Sequence, residues 1–227
     1  MGFYQSRSDT SLFIYRTKGS VIFLLVYVDD VIITGNKYQL TEQLIETLDI
    51  QFALKDLGQL RYFLGIQVHY LDSGLLINQS KYVDDLLHEL HLTDVKPMLS
   101  PTVQGRKLSK TDGQPLFEPY IYRSTIDALQ YLTHTRPDIT YVVNQLSQFL
   151  QTPTDVHWQA AKRVLRYISS TKHYGLYFQP SLNLNVFAYS DANWASNLDD
   201  RKSVAAYCTF VGNNIVSWSS IKQAVVA

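Results

Sequence analysis

Residues 21–34 read Val-Ile-Phe-Leu-Leu-Val-Tyr-Val-Asp-Asp-Val-Ile-Ile-Thr, eight apolar or aromatic residues, two aspartates and three more apolar residues. A run of this length, rich in β-branched residues, predicts a buried strand. The second run reads as its hairpin partner, which puts Asp29 and Asp30 at the connecting turn. Upstream, Asp9 to Tyr15 predict a turn leading into a short strand, returned at Lys18-Gly19-Ser20. Downstream, Leu40, Leu44, Ile45 and Leu48 recur at helical spacing and predict an amphipathic helix over residues 37–48, packed on the sheet.

The pattern then changes twice. Residues 60–68 read as a strand that turns at Asp72-Ser73-Gly74 and pairs with residues 75–78, and Gly65 inside the apolar run predicts a bulge or the close approach of another backbone. Tyr82, Val83, Leu86, Leu87 and Leu90 mark a helix with Ser80 as its N-cap. Residues 93–119 have no period and are punctuated by Pro97, Pro101, Gly105, Gly113, Pro115 and Pro119, so they read as a long connector. Beyond it come three helices. Ile121, Leu129 and Leu132 carry the first, which must end before Pro137. Ile139, Val142, Val143, Leu146, Phe149 and Leu150 carry the second, and Trp158, Ala161, Val164, Leu165 and Ile168 the third, capped by Thr154 after Pro153. The last fifty or so residues return to strands: residues 175–178, 184–189 ending at Ser190-Asp191, 203–211 and 215–219, the last two joined at Gly212-Asn213-Asn214. The expected class is α+β.

Composition changes this picture little. A chain of 227 residues fits one large domain or one and a half ordinary ones. Hydrophobic residues at 46% supply a core, and sixteen tyrosines suit half-buried faces. Twenty basic residues balance twenty acidic ones, so any binding of nucleic acid must be local. The third helix offers a place for it, because Lys162, Arg163 and Arg166 share one side at i, i+1 and i+4. Such a cluster is either a solvated face or a phosphate contact. Cys208 is the only cysteine, which excludes an internal disulfide and a cysteine-based zinc cluster and is compatible with an intracellular setting, cytoplasm or nucleus. No segment has the uninterrupted apolar length that spans a membrane, and the N-terminus has no signal-peptide pattern. Met1-Gly2-x-x-x-Ser6 matches a lipidation pattern short enough to arise by chance.

Ionised carboxylates between buried strands are costly unless a cation meets them. A divalent metal with oxygen ligands is the natural partner of Asp29 and Asp30; ordinary turn chemistry, which also favours aspartate, is the alternative. Strand side chains alternate faces, so the two need not point the same way.

Tyr27-Val28-Asp29-Asp30 at a hairpin tip resembles the metal-binding motif of reverse transcriptases. Further blocks in order extend the likeness: Gly2-Phe3-Tyr4-Gln5-Ser6, Lys55-Asp56-Leu57-Gly58, Tyr62-Phe63-Leu64-Gly65-Ile66, Tyr131-Leu132-Thr133 with Thr135-Arg136-Pro137-Asp138, Leu146-Ser147-Gln148-Phe149, His157-Trp158, Tyr189-Ser190-Asp191-Ala192 and Asp200-Arg201-Lys202-Ser203. Together they resemble the polyprotein of copia-type retrotransposons over almost the whole chain. The resemblance implies a partial reverse transcriptase palm with its primer-grip region over residues 1–92, a connector over 93–119, a helical connection over 120–182 and the start of a truncated ribonuclease H-like sheet over 183–227. It makes Asp29 and Asp30 the paired catalytic aspartates, holding Mg2+ or Mn2+, and Asp191 the first metal-binding carboxylate of the ribonuclease. Tyr62, Phe63, Leu64 and Gly65 would grip the primer end, with Lys162, Arg163 and Arg166 on the template–primer.

The departures from that family are also informative. Its further palm aspartate lies upstream of Met1, and its ribonuclease H continues past Ala227 into a Ser/Thr-Glu-Ala-Glu-Tyr helix. Both metal sites are therefore expected to be incomplete, with missing parts supplied by another part of the polyprotein. Asp127 stands where the family has Gly, and Val204-Ala205-Ala206 where it has Ser/Thr-Thr-Gly. The expected function is part of an RNA-directed DNA polymerase. The alternatives are a non-catalytic remnant that binds template–primer and a degenerate fragment without activity.

Overall fold

The computed structural model describes residues 2–105 and 107–224. It divides into two compact units, Met1–Leu60 and Arg61–Ala227. In the first, β1 (Tyr4–Gln5), β2 (Leu12–Thr17), β3 (Ser20–Tyr27) and β4 (Asp30–Gly35) form an antiparallel meander in chain order. The two apolar runs of residues 21–34 pair in register, Leu24 opposite Ile33 and Leu25 opposite Ile32. Helix α1 (Tyr38–Phe52) packs on β4. Gly35 permits that approach, since a Cβ there would stand 2.9 Å from the Val21 carbonyl oxygen and 3.1 Å from Thr41 Oγ1. The helix runs four residues beyond its last periodic leucine, Leu48, and stops where Ala53 turns left-handed at φ 51°. Ile50 and Phe52 in that last turn are exposed, so hydrophobic period does not reveal it.

The second unit is built on a helical core. Helices α2 (Ser80–Glu89), α3 (Pro119–Leu132), α4 (Thr140–Ser147) and α5 (Asp155–Ser170) bury Val83, Ile126, Leu129, Leu146, Val164 and Ile168 against one another. A short 3-10 turn, Pro137–Ile139, leads into α4. Helix α5 is capped as expected by Thr154, whose hydroxyl accepts from the His157 backbone N–H, and the His157 ring answers by accepting from the Thr154 N–H. Such a reciprocal cap usually employs Glu or Gln at that third position. Ser80 is the first residue of α2 rather than its cap, which is Gln79.

Two antiparallel sheets flank the core. One has the order β5 (Tyr62–Phe63), β6 (Ile66–Leu71), β7 (Gly74–Asn78), β8 (Gly175–Phe178). Strand β8 lies about a hundred residues beyond β7, yet pairs with it, Ile77 opposite Leu176. The other sheet comprises β9 (Val186–Asn193), β10 (Val204–Val211) and β11 (Asn214–Lys222), with β10 central. It packs on α4 through β11, and Trp218 Nε1 donates to the Thr133 carbonyl at 3.1 Å. The aperiodic stretch between α2 and α3 is tied down along α5. Leu116 N–H donates to the Pro153 carbonyl, Gln114 N–H donates to Asp155 Oδ1 at 2.8 Å, and Met98 N–H donates to the Arg166 carbonyl. No helix among the described residues is long and apolar enough to cross a membrane.

Candidate functional site

Strand pairing sets the geometry of the aspartate turn. Tyr27 pairs with Asp30, so the hairpin turns on Val28 and Asp29 alone, and Asp30 is already the first residue of β4. Val28 takes a left-handed φ of 50°. A β-branched residue is an outlier there and costs about 1–2 kcal/mol. Val28 is 82% exposed, so the apolar run ends with its last member in solvent. Asp29 and Asp30 are both exposed, and the ion pairs among the described residues involve other carboxylates. Two adjacent, exposed carboxylates at a hairpin tip, one on the turn and one on the first residue of β4, are hard oxygen donors that suit Mg2+. Among the described residues, however, no three carboxylate, histidine or cysteine side chains come together as a metal site. The chemistry of the donors fits a divalent ion; their number falls short of a two-ion site.

In the second unit, Tyr62, Phe63, Leu64 and Gly65 form a tight hairpin with Ile66. Phe63 pairs with Ile66, and the two residues between them both have positive φ, 47° at Leu64 and 77° at Gly65. This is the backbone of a type I′ turn, which Gly accepts and Leu does not favour. Gly65, where a bulge or the close approach of another backbone is expected, is instead the second corner of a turn approached by the side chains of Tyr131 and Tyr82. The side chains of Tyr62 and Leu64 are 52% and 40% exposed. The tip rests on α3, where the Tyr131 hydroxyl donates to the Leu64 carbonyl.

The basic face of α5 is partly engaged. Arg163 Nε and Nη2 donate to the carbonyl and hydroxyl of Ser100, each at 3.1 Å, and Arg166 Nε donates to the Lys96 carbonyl at 2.6 Å. Lys162 instead holds its ammonium 5.3 Å over the Trp158 ring. Two of the three cations thus fasten the residues 96–100 segment to the helix.

Asp191 lies within β9, opposite Ala206, and is exposed beside an open depression of about 600 Å³. Strand β9 continues through Ser190 and Asp191 to Asn193, two residues past the expected polar stop, because its ladder with β10 persists. The structure thus sets Asp29 and Asp30 at one hairpin tip and the three cations on one helix, while Asp191 stands on a separate sheet.

The second unit also holds two buried polar clusters without a signature in the hydrophobic pattern. Arg136 is 1% exposed and grips Asp138 with both ends of its guanidinium, at 2.9 and 2.7 Å. Burial alone would push the Asp138 carboxyl up, but the hydrogen bonds and charge of Arg136, with the Tyr167 hydroxyl, hold it below the usual carboxylate range. His157 is fully buried and stacks on Phe149 at 3.9 Å. Its Nδ1 accepts from the Thr154 N–H and its Nε2 donates to the Ser109 carbonyl at 3.1 Å. Burial pulls its pKa down, outweighing the Ser109 carbonyl and the charges of Asp112, Asp199 and Asp155. The spacing of Arg136 and Asp138 is the one hint of the first cluster in the sequence. For the second, His157 looks like any other residue of the helix.

Residues 1–104 match the family model described as reverse transcriptase (RNA-dependent DNA polymerase). Over 223 residues, 98% of the chain, it is 43% identical to the retrovirus-related Pol polyprotein from transposon RE1 of Arabidopsis thaliana, and it spans 15% of that protein. It is 32% identical over 235 residues to the Pol polyprotein from transposon TNT 1-94 of Nicotiana tabacum, covering 99% of the chain and 18% of that protein. An uncharacterized mitochondrial protein of Arabidopsis thaliana is 42% identical over 207 residues, 91% of this chain and 85% of that one. No solved structure matches the chain.

Proposed function

Because this chain belongs to the reverse transcriptase family of copia-type retrotransposon polyproteins, we propose that it forms part of an RNA-directed DNA polymerase. In this reading the turn at Asp29 and Asp30 contributes to the metal site, and the hairpin at residues 62–66 holds the primer end. The observation that carries it is the pair of adjacent, exposed carboxylates at the tip of the β3–β4 hairpin, inside the residues that match the family. Bound Mg2+ or Mn2+ would activate the attacking 3′ hydroxyl and stabilise the leaving pyrophosphate. Asp29 and Asp30 supply hard oxygen ligands from a turn too short to fold over them, leaving room for nucleotide phosphates and for donors from another segment of the polyprotein.

The other residues take supporting roles. Tyr62, Phe63, Leu64 and Gly65 present a tight turn with exposed apolar and aromatic surface, suited to the sugar and base of a primer terminus. Phosphate contact on α5 falls first to Lys162, since Arg163 and Arg166 donate to Ser100 and Lys96. Asp191 serves as the first carboxylate of a ribonuclease H-like site. The chain then reads as palm through residue 92, connector over 93–119, helical connection over 120–182 and ribonuclease H-like start over 183–227.

A second reading, a template–primer binder without catalysis, is favoured by one observation: no third metal-ligating side chain joins Asp29 and Asp30 among the described residues. Primer extension on an RNA template with Mg2+ or Mn2+, with the chain in its polyprotein context, separates the two. The Asp29→Asn, Asp30→Asn double variant is expected to abolish extension. Equal extension by wild type and variant would reject a catalytic role and leave the binder.

A further inference from the structure

The hairpin at residues 62–66 holds Leu64 in a conformation that leucine disfavours. Both central positions of its turn are left-handed, and a side chain with a Cβ costs free energy there that Asn, whose short polar side chain tolerates the region, largely avoids. Such an outlier persists only where its surroundings over-determine it. The surroundings here come from α3 and α2. The Tyr131 hydroxyl donates to the Leu64 carbonyl, and the Tyr131 ring stands 3.5 Å from where a Cβ on Gly65 would lie. Tyr82 packs edge-on against Tyr131 at 5.2 Å and ties its own hydroxyl to the Ala128 carbonyl at 3.3 Å, while the His134 ring lies 5.4 Å from that of Tyr131 and its Nδ1 bonds with the Tyr131 carbonyl at 2.7 Å.

We infer that Tyr131 is a positioning residue: its hydroxyl fixes the left-handed Leu64–Gly65 turn and so sets the pose in which the hairpin meets the primer end. The inference rests on the reading of that hairpin as a nucleic-acid contact. Helix α3 is thereby coupled to the hold on the primer through the Tyr131 side chain, although Tyr131 need not touch nucleic acid. The glycine at 65 serves the same arrangement twice, through its positive φ and through the space it leaves for the tyrosine ring.

The test is the affinity of the full chain for a fluorescently labelled DNA primer annealed to an RNA template. Y131F removes only the hydroxyl and is expected to weaken binding about five-fold, the effect of one lost hydrogen bond. In an L64N background the turn is held by the preference of its own residue, so Y131F should there cost less than about two-fold. This dependence on residue 64 is a coupling that a merely structural tyrosine would not show. Equal effects of Y131F in both backgrounds, or none in either, would overturn the positioning role. L64D examines the underlying reading separately: if the wild type does not bind the duplex, or L64D binds it as tightly as wild type, the hairpin is not a primer contact and the inference falls with it.

Discussion

Arg136 should be among the least replaceable residues of the second unit. Its guanidinium makes four hydrogen bonds: to Asp138 Oδ1 at 2.9 Å and Oδ2 at 2.7 Å, and to the Thr171 carbonyl at 2.9 Å and hydroxyl at 2.8 Å. The rings of Tyr167 and Tyr174 lie 5.6 and 5.5 Å from its central carbon. It therefore joins the 3-10 turn before α4 to the C-terminal end of α5. Arg136→Met keeps most of the volume and removes every polar contact. Breaking a buried pair from one side costs about 3–5 kcal/mol, because the remaining charge is left uncompensated. The Asp138 side chain is 35% exposed and keeps its bond from the Tyr167 hydroxyl, so water recovers part of that cost and the lower end, about 3 kcal/mol, is expected. For a unit of this size that corresponds to a fall in Tm of about 6–12 °C. Adding Asp138→Asn should restore part of the loss, since removing both charges is far less costly than removing one. The pH dependence carries the same signature. The folded Asp138 carboxyl titrates below its unfolded value, so its contribution is complete above about pH 4 and is lost as pH falls through the folded value. Arg136→Met should abolish that acid-side component. Urea unfolding of the full chain at neutral and acid pH measures both effects. A variant as stable as wild type, with an unchanged acid limb, would show that the Arg136–Asp138 pair does not hold the second unit together.

Two further outcomes follow from the site geometry. The folded pKa of His157 is lowered, so its contribution to stability is complete above the unfolded value of about 6.5 and declines as pH falls through the folded value; His157→Gln should flatten thermal unfolding across that window, and an unchanged slope would contradict it. Lys162→Ala should weaken template–primer binding and reduce its salt dependence by about one phosphate contact, whereas Arg166→Ala should chiefly loosen the residues 96–100 segment, read as faster amide exchange at Met98; the reverse assignment of the two effects would show that the bonds to Lys96 and Ser100 do not persist.

The features legible in the sequence are those that periodicity or a local rule dictates. Two apolar runs facing each other across aspartates admit little besides a hairpin, and the helices of the second unit follow their leucines and valines. Thr154 after Pro153 marks the start of α5. Long-range pairing was less accessible: Gly175–Phe178 is too short a strand to announce that it completes the sheet of β7 rather than joining the strands that follow it. The second periodic run, residues 139–150, is helical only to Ser147, although Phe149 beyond it is buried, because burial outlasts the helix there. At the candidate site the aspartates, the hairpin residues and the cations could be named, since each stands in a recognisable block. Their partners could not. That Arg163 and Arg166 bond to backbone some 60 to 70 residues earlier, or that Tyr131 reaches the Leu64 carbonyl, depends on how the elements pack rather than on any neighbour in the chain.

The proposed role of the exposed hairpin tip at Asp29 and Asp30 is to bind a divalent ion in the service of a template–primer. It is tested most directly by measuring the affinity of the full chain for an RNA-templated DNA primer as Mg2+ is titrated, in wild type and in the Asp29→Asn, Asp30→Asn double variant. Mg2+ is expected to strengthen binding by the wild type and to leave the variant unmoved. Identical Mg2+ responses from the two proteins would contradict it.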